Sequence, residues 1–328
     1  MKNDEKANYY VSAFATQMAA FIRYKRAQGL KYISEPLSLR AFSRFLEAKG
    51  TDGTCISKEL VEEWCTLRPN ESKRTQRRRV IETTQFIKYL AENEIHVHLP
   101  RNARKRQTEV SFVPYIFSQE ELRRFFCECD KISARTPSVM PVMLPVLFRL
   151  LLSSGLRISE AVNLVRNDVD IENGLLIVRK SKFNKDRIVP LSNSMLTVLR
   201  DYSAECHKIP KNDSSPFFAH RDGRMVKADS IYKWFRKVLW AAGISHGGRG
   251  NGPRLHDFRH TFSVSSLKSM TDKGMDIYCA LPILSTYLGH ASISATGKYV
   301  RLTQDMFPEI VDKTSAITAF VIPGGDRL

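Results

Sequence analysis

Four amphipathic helices are predicted between Tyr9 and Leu99. The first two have apolar residues three or four positions apart: Phe14, Met18, Phe21 and Ile22, then Leu39, Phe42, Phe45 and Leu46. A third helix begins at Ser57 and a fourth near Ser72, since both serines precede apolar residues at helical spacing. Little of this stretch alternates with the period of a strand, so a helical unit is expected here.

The fourth helix opens with a run of basic residues before it turns apolar: Lys73, Arg74, Arg77, Arg78 and Arg79. A charge run of this kind ordinarily forms a solvated helix face. Cations at this end also oppose the helix dipole, which favours anions at the N-terminus. Because several cations occupy this unfavourable position, we expect them to contact the phosphate backbone of a nucleic acid.

Residues 100–113 are predicted to form a linker, because the segment Arg101–Arg106 is polar, basic and without periodicity. The linker is either an exposed connector without a binding role or a segment that lies along DNA phosphates, and we favour the second interpretation. Ser118 and Glu121 then form a capping box that starts a second unit. The expected domains are therefore a helical domain of residues 1–99 and a domain of residues 114–328 with a C-terminal tail.

In the second unit the mostly apolar run Val142–Leu152 predicts a buried helix that breaks at Gly155. Strand signals follow, with the turn Glu172-Asn173-Gly174 leading into Leu175–Val178 and a second turn leading into Ile188–Pro190. Helical spacing then returns, with aromatic residues expected mostly in the core: Tyr232, Trp234, Phe235 and Trp240. The predicted fold class is mainly α with a small antiparallel β-sheet.

Composition favours a nucleic acid partner over a membrane surface. The 328 residues suit two domains, and 43% are apolar, enough for a core in each. The formal net charge of +17 indicates a polyanionic partner. The six cysteines are too scattered for a disulfide scaffold. With neither a long apolar run nor a signal peptide in view, the expected location is the cytoplasm.

The chemistry-bearing stretch runs from Pro253 to Phe262. His256 and Arg259 lie three residues apart on a predicted helix, so they project from one face. A fixed cation beside an imidazole suits a phosphodiester in mid-reaction, whose non-bridging oxygens carry charge. Arg157, at the end of the buried helix, is either an ion-pair partner of Glu160 or a second phosphate ligand.

These segments resemble the tyrosine recombinase (phage integrase) family. The resemblance rests on an arginine box around Arg157, a His-x-x-Arg box at His256 and Arg259, a Leu-Gly-His box at His290, and Tyr299 nine positions later. It implies an N-terminal helical core-binding domain and an α+β catalytic domain. It also implies site-specific cutting and rejoining of DNA through a 3′-phosphotyrosyl bond, without a metal, ATP or another cofactor.

The resemblance also implies residue roles. Arg157 and Arg259 would bind the scissile phosphate, and Tyr299 would attack phosphorus. His256 and His290 would add hydrogen bonds and help to handle the proton of the nucleophile. Lys182, at the predicted hairpin tip, would protonate the departing 5′-oxygen, with Lys185 as the fallback candidate. The DNA-contacting residues would lie in the fourth helix and the linker: Ser72, Lys73, Arg74, Thr75, Arg77, Arg78, Arg104, Lys105 and Arg106.

The implied partners are double-stranded DNA with paired inverted core sites, further copies of this chain in a tetramer on DNA, and accessory recombinases. We favour integration or excision of a mobile element over a Xer-like resolvase of DNA dimers. The apolar tail from Ala316 to Ile322 is either a last core element or a segment that docks into a neighbouring subunit.

Two alternatives belong to other classes. His256 and His260 stand at i and i+4 with Asp257 between them, superficially like the His-Glu-x-x-His site of a zinc hydrolase. However, no third ligand is evident, and His260 is expected to be a helix-packing residue. The other alternative is a DNA-binding accessory protein that does not cut.

Overall fold

The computed structural model describes residues 2–100, 113–133, 138–179, 181, 185–207, 214–247, 252–290, 292–297 and 299. The basic residues of the linker, Lys182 and the apolar tail lie outside this set. The chain divides into two compact units, Met1–Ser111 and Phe112–Leu328.

The N-terminal unit contains the four predicted helices: α1 (Ala15–Ala27), α2 (Glu35–Ala48), α3 (Lys58–Cys65) and α4 (Lys73–Glu92). Their apolar faces form one core, which includes Phe14, Phe21 and Phe42. The serines that were predicted to start α3 and α4 cap them, since Ser57 accepts a hydrogen bond from the Leu60 amide and Ser72 accepts one from the Thr75 amide.

Two features of this unit differ from expectation. Strand β1 (Cys55–Ile56) pairs in parallel with β2 (His96–Val97), and elements of two residues are too short to show periodicity. Arg79 is buried and ion-paired with Glu71, with its guanidinium 4.9 Å from the Trp64 ring centroid. It therefore belongs to the interior and not to the exposed basic start of α4.

The second unit is mainly helical, as predicted. It contains α5 (Gln119–Asp130), α6 (Met140–Ser154), α7 (Ile158–Val162), α8 (Asn193–Cys206), α9 (Ala228–Ala241), α10 (Asp257–Asp272) and α11 (Ile277–Leu288). The capping box of Ser118 and Glu121 starts α5. Helix α6 is the predicted buried helix, and Gly155 ends it with a φ of +60°.

The small antiparallel sheet is also confirmed. It consists of β3 (Val169–Asp170), β4 (Leu175–Val178) and β5 (Arg187–Pro190) in that order. Leu176 lies opposite Val189 and both are fully buried, so this face of the sheet packs on the core.

The prediction that Tyr232 and Trp240 lie in the core is wrong, because 38% and 85% of their surfaces are exposed. The apolar face of α9 is formed by Ile231, Phe235 and Val238, which are buried. Trp240 projects from the other side of the helix, a distinction that aromatic content alone does not show. No helix within the described ranges is long and apolar enough to cross a lipid bilayer.

Candidate active site

Arg259 lies at the centre of the candidate site and is almost wholly buried, with 2% of its surface exposed. Its guanidinium donates hydrogen bonds of 2.6 Å to the carbonyl oxygens of Gly155 and Leu288. These carbonyls belong to the C-terminal ends of α6 and α11, where helices carry unpaired acceptors and partial negative charge. Burial lowers the pKa of Arg259 to about 10, with the charge of Arg157 adding to the effect, so the group remains a cation at neutral pH.

Glu160 ties two further arginines to this region. Its carboxylate accepts a 2.7 Å hydrogen bond from Nη1 of Arg157 and bonds of 3.0 and 2.8 Å from Arg187. Burial alone would raise the pKa of Glu160, but the hydrogen bonds from Arg187 and Arg157 outweigh it and lower the pKa to about 2. The predicted ion pair between Arg157 and Glu160 is therefore present, and it fixes the Arg157 side chain in place.

His290 follows the left-handed C-cap Gly289 of α11. Its amide donates to the Ser285 carbonyl at 3.0 Å, and its Nδ1 lies 2.8 Å from Oγ1 of Thr296, which is fully buried. Burial and the charge of Arg259 lower the pKa of His290 to about 4. The ring is therefore neutral at physiological pH and held through one nitrogen.

His256 is the N-cap residue of α10 and remains open to solvent. Its ring stands edge-on to that of His260, with 4.8 Å between the centroids. Partial burial among protein atoms lowers the pKa of His256, and the neighbouring His260 and Arg259 lower it further. An exposed imidazole that favours its neutral form can both donate and accept a hydrogen bond.

Tyr299 packs against α10 and α11 with 3% of its surface exposed. Its hydroxyl lies 3.0 Å from Nδ1 of His260, and its ring stacks on His290 with 6.4 Å between the centroids. Burial raises the pKa of the phenol, whereas interactions with Ser263 and Arg259 oppose that rise. The phenol is therefore protonated at neutral pH.

Contacts between side chains place the residues of the sequence boxes in one region, the candidate pocket: the rings of His256, His260, Tyr299 and His290 neighbour one another in series, and Arg259 bonds Leu288, two residues before His290. Burial is the largest influence on the pKa values of His256, His290 and Tyr299, and the positive charges of Arg157 and Arg259 act on all three. Arg157 is connected to the same region through Glu160 and Arg187, since Arg187 also donates to the carbonyl of Tyr287, next to Leu288. The pocket thus joins fixed positive charge to a buried phenol.

The family model of the phage integrase family matches residues 116–306, which is more than half of the chain. The chain belongs to the phage integrase family of tyrosine recombinases.

Relatives of this recombinase share most of its length. It is 32% identical to the integrase/recombinase y4rE of Sinorhizobium fredii over 87% of this chain and 91% of that protein. It is 28% identical to the tyrosine recombinase XerC of Chlamydia trachomatis over 76% of this chain and 73% of that protein.

Solved recombinase structures share its fold. The XerH site-specific recombinase, bound to a palindromic difH substrate in a post-cleavage complex, matches with a TM-score of 0.61 and 20% identity over 91% of this chain and 78% of that one. The Tn1549 transposon integrase, in complex with transposon right end DNA, matches with a TM-score of 0.60 and 16% identity over 85% of this chain and 92% of that one.

Two residues of the recombinase pocket were missed from sequence. His260 was interpreted as a packing residue, although its spacing of four from His256 places it on the same helix face, which was the available signal. Arg187 carried no signal at all, because its partners Glu160 and Tyr287 are 27 and 100 residues away. Only the folded chain brings these groups together.

The other candidate residues of the recombinase fall in two places. In the N-terminal unit, Arg77 is half-buried and the remaining α4 candidates are exposed: Ser72, Lys73, Arg74, Thr75 and Arg78. Lys182 lies outside the described residues, whereas the fallback Lys185 is exposed. The Ser181 hydroxyl donates a 2.7 Å hydrogen bond to the Lys185 carbonyl. Within the described ranges, no group of three or more His, Cys, Asp or Glu side chains could hold a metal ion.

Proposed function

We propose that this recombinase cuts and rejoins DNA at specific sites through a 3′-phosphotyrosyl bond to Tyr299. The observation that carries the proposal is the buried Tyr299 hydroxyl, which lies 3.0 Å from Nδ1 of His260 and packs with Leu288, whose carbonyl holds the Arg259 guanidinium. A phenol beside two fixed guanidinium groups suits nucleophilic attack on a phosphodiester, because the same cations that bind the phosphate also favour the phenolate.

Arg157 and Arg259 bind the two non-bridging oxygens of the scissile phosphate. Both side chains are already fixed, Arg259 by two helix-end carbonyls and Arg157 by Glu160, so little reorganisation accompanies charge build-up in the transition state. The planar guanidinium fork matches a phosphate better than a lysine ammonium does.

His256 and His290 add hydrogen bonds to the phosphate as neutral rings. The bond to Thr296 occupies Nδ1 of His290, which leaves Nε2 as the ring nitrogen for substrate. Lys182, in the segment of the chain between β4 and β5, protonates the departing 5′-oxygen. The phosphotyrosyl bond retains the energy of the broken phosphodiester, so rejoining needs neither a metal nor ATP.

The DNA partner is a duplex with paired inverted core sites, on which four copies of the chain assemble in the cytoplasm. The basic start of α4 contacts its phosphates through Ser72, Lys73, Arg74, Thr75, Arg77 and Arg78. The linker residues Arg104, Lys105 and Arg106 lie along the same backbone. Accessory recombinases are further partners of the assembly.

The biological role we propose is integration or excision of a mobile element. The longer similarity to y4rE, named as an integrase/recombinase, supports this over the shorter similarity to XerC. Resolution of DNA dimers is the second candidate, and the XerC similarity is the observation in its favour.

The test uses nicked duplexes that carry the two DNA junctions flanking the gene, since a nick traps the covalent intermediate. The wild-type chain should form a covalent adduct in the presence of EDTA and without ATP, and Tyr299→Phe should form none. Tyr278→Phe, in which an 81% exposed tyrosine is changed, is the matched control and should retain the adduct. DNA binding without any adduct would overturn the proposal in favour of a non-cleaving accessory protein.

A further inference from the structure

The two ring nitrogens of His260 face two different groups. Nδ1 lies 3.0 Å from the Tyr299 hydroxyl, which is within hydrogen-bond reach. Nε2 lies 3.9 Å from Oδ1 of Asp257, one turn earlier on α10. A hydroxyl, an imidazole and a carboxylate therefore stand in series, the arrangement by which proteins activate a weak nucleophile.

We propose that His260 holds the Tyr299 hydroxyl and accepts its proton when the phenol attacks DNA, while Asp257 orients the His260 ring. This inference rests on the proposed function and assigns the proton acceptor for the same step.

Asp257 is suited to orient the His260 ring because burial and hydrogen bonds fix its carboxylate. Its carboxylate is completely buried and accepts hydrogen bonds from Arg254, at 2.7 Å from the amide and 3.2 Å from Nη2. A buried carboxylate on the Nε2 side favours the tautomer that carries its hydrogen on Nε2. That tautomer leaves Nδ1 with a lone pair directed at the Tyr299 hydroxyl.

The Tyr299 phenol must transfer its proton to an acceptor when it attacks phosphorus. Its hydroxyl sits in a buried setting that raises the pKa of the phenol, so the nucleophile begins protonated. His290 is poorly placed to take the proton, because its Nδ1 is bonded to Thr296 and its ring lies nearly parallel to the tyrosine ring, at an angle of 21°. His260 meets the hydroxyl itself.

The step balances within the site. The Tyr299 oxygen forms a bond to phosphorus while its proton passes to the Nδ1 lone pair of His260. The bond from phosphorus to the 5′-oxygen breaks, its electron pair stays on that oxygen, and the proton of Lys182 neutralises it. The imidazolium that forms faces Asp257, whose negative charge stabilises it. In rejoining, His260 returns the proton to the phenol.

The first test is single-turnover cleavage of the nicked substrate between pH 5 and 9. His260→Asn can place a hydrogen-bonding group where Nδ1 was but cannot take a proton. We expect its cleavage rate to fall by about 100-fold, as for loss of a general base, with DNA affinity unchanged. The wild-type rate should rise with pH to a plateau, and the variant should lose that rise. His220→Asn, outside this pocket, is the control and should behave as wild type.

Comparison of the two profiles isolates His260 from the other charged groups around it. The charged groups are Asp257 and Arg259 on α10, Arg254 before the helix, and Arg157, and the neutral titratable groups are His256, Tyr299 and His290. All of them stay in the variant, so their titration appears in both profiles.

The second test needs no DNA. Nitrogen-15 NMR of histidine-labelled protein should show His260 with its hydrogen on Nε2, and Tyr299→Phe should shift the Nδ1 resonance. Asp257→Asn, with folding checked by circular dichroism, should increase the share of the other tautomer. A hydrogen found on Nδ1 in the wild-type chain overturns the inference.

The two proposals fail differently. Equal rates and pH profiles for wild type and His260→Asn would overturn the role of His260 alone. A wild-type chain that forms no adduct would overturn the proposed function itself, and this inference with it.

Discussion

Arg187 and Glu160 form a two-pronged ion pair, with both guanidinium Nη atoms within 3.0 Å of the carboxylate oxygens. The pair joins β5 to α7 inside the second unit, and its side chains are only 10% and 5% exposed. Because Glu160 also accepts a hydrogen bond from Arg157, one carboxylate fixes two of the cations of the pocket. The pair is thus both a structural link and a support for the site.

Glu160→Gln should destabilise the second unit strongly. The substitution leaves Arg187 buried without its counter-charge, and breaking a buried pair in this way costs about 3–5 kcal/mol. Urea unfolding followed by hydrogen exchange of second-unit amides measures the change. Glu120→Gln, which removes the exposed pair with Arg123, is the control and should leave the free energy of unfolding nearly unchanged, because solvent screens an exposed pair. Similar losses in the free energy of unfolding for both variants would show that the buried pair stabilises the fold no more than an exposed pair does.

His290 should make stability depend on pH between about 6.5 and 4. Its pKa is about 4 in the folded chain against an ordinary 6.5, so in this window the unfolded chain binds the proton and the folded chain does not. Stability from this group is fully present above pH 6.5 and is lost as pH falls toward 4, at a slope below the limit of about 1.4 kcal/mol per pH unit because solvent screens a half-buried ring.

His290→Asn should flatten that dependence, because asparagine does not titrate and can still bond Thr296 at the position of Nδ1. The measurement is the free energy of unfolding at half-unit pH steps for both chains. The titration of His256 is common to both and cancels in the difference. An unchanged slope in His290→Asn would contradict the assignment of the lowered pKa to this ring.

Gly155→Ala should be more harmful than Gly274→Ala. Both glycines have positive φ, +60° and +84°, so alanine at either position adds backbone strain of about 1–2 kcal/mol. At Gly155 the new methyl would also lie 2.5 Å from the Phe262 ring, whereas at Gly274 it meets nothing within 4 Å. We expect a further loss of about 1–3 kcal/mol from overpacking at Gly155.

The same substitution should reduce cleavage, since the Gly155 carbonyl anchors Arg259. Thermal unfolding and adduct formation on the nicked substrate check the two effects. Equal stability of the Gly155→Ala and Gly274→Ala variants would contradict this prediction, because it would mean that Phe262 moves to accept the methyl group at no cost in free energy.

Lys73→Ala should weaken DNA binding and reduce its dependence on salt. Lys73 is exposed in the first turn of α4, where we propose a phosphate contact, and loss of one such contact lowers the salt slope by about one. Lys88→Ala removes an equally exposed lysine further along the same helix and is the control. Binding isotherms between 50 and 200 mM salt provide the slopes. Equal slopes for both variants would place the DNA contact elsewhere.

Local pattern predicted the local structure well. The caps of α3, α4 and α5, the buried helix α6 and the two hairpin strands all follow from residues within a few positions of one another. The spacing of residues did not predict burial correctly where burial depended on which face of a helix packs against the core. Trp240 projects away from the core face of α9, and Arg79 turns inward to Glu71 and Trp64.

The amino-acid sequence by itself determined the helices, their caps, the small sheet, the positive charge and the boxes that indicated the family. These properties depend on side-chain chemistry and on spacing along one element. The tertiary structure alone decided that Arg187 pairs with Glu160, that Arg259 bonds Gly155 and Leu288, and that His260 meets Tyr299. Such contacts join positions from 27 to 104 residues apart, and no local period encodes which of many buried polar groups will become partners.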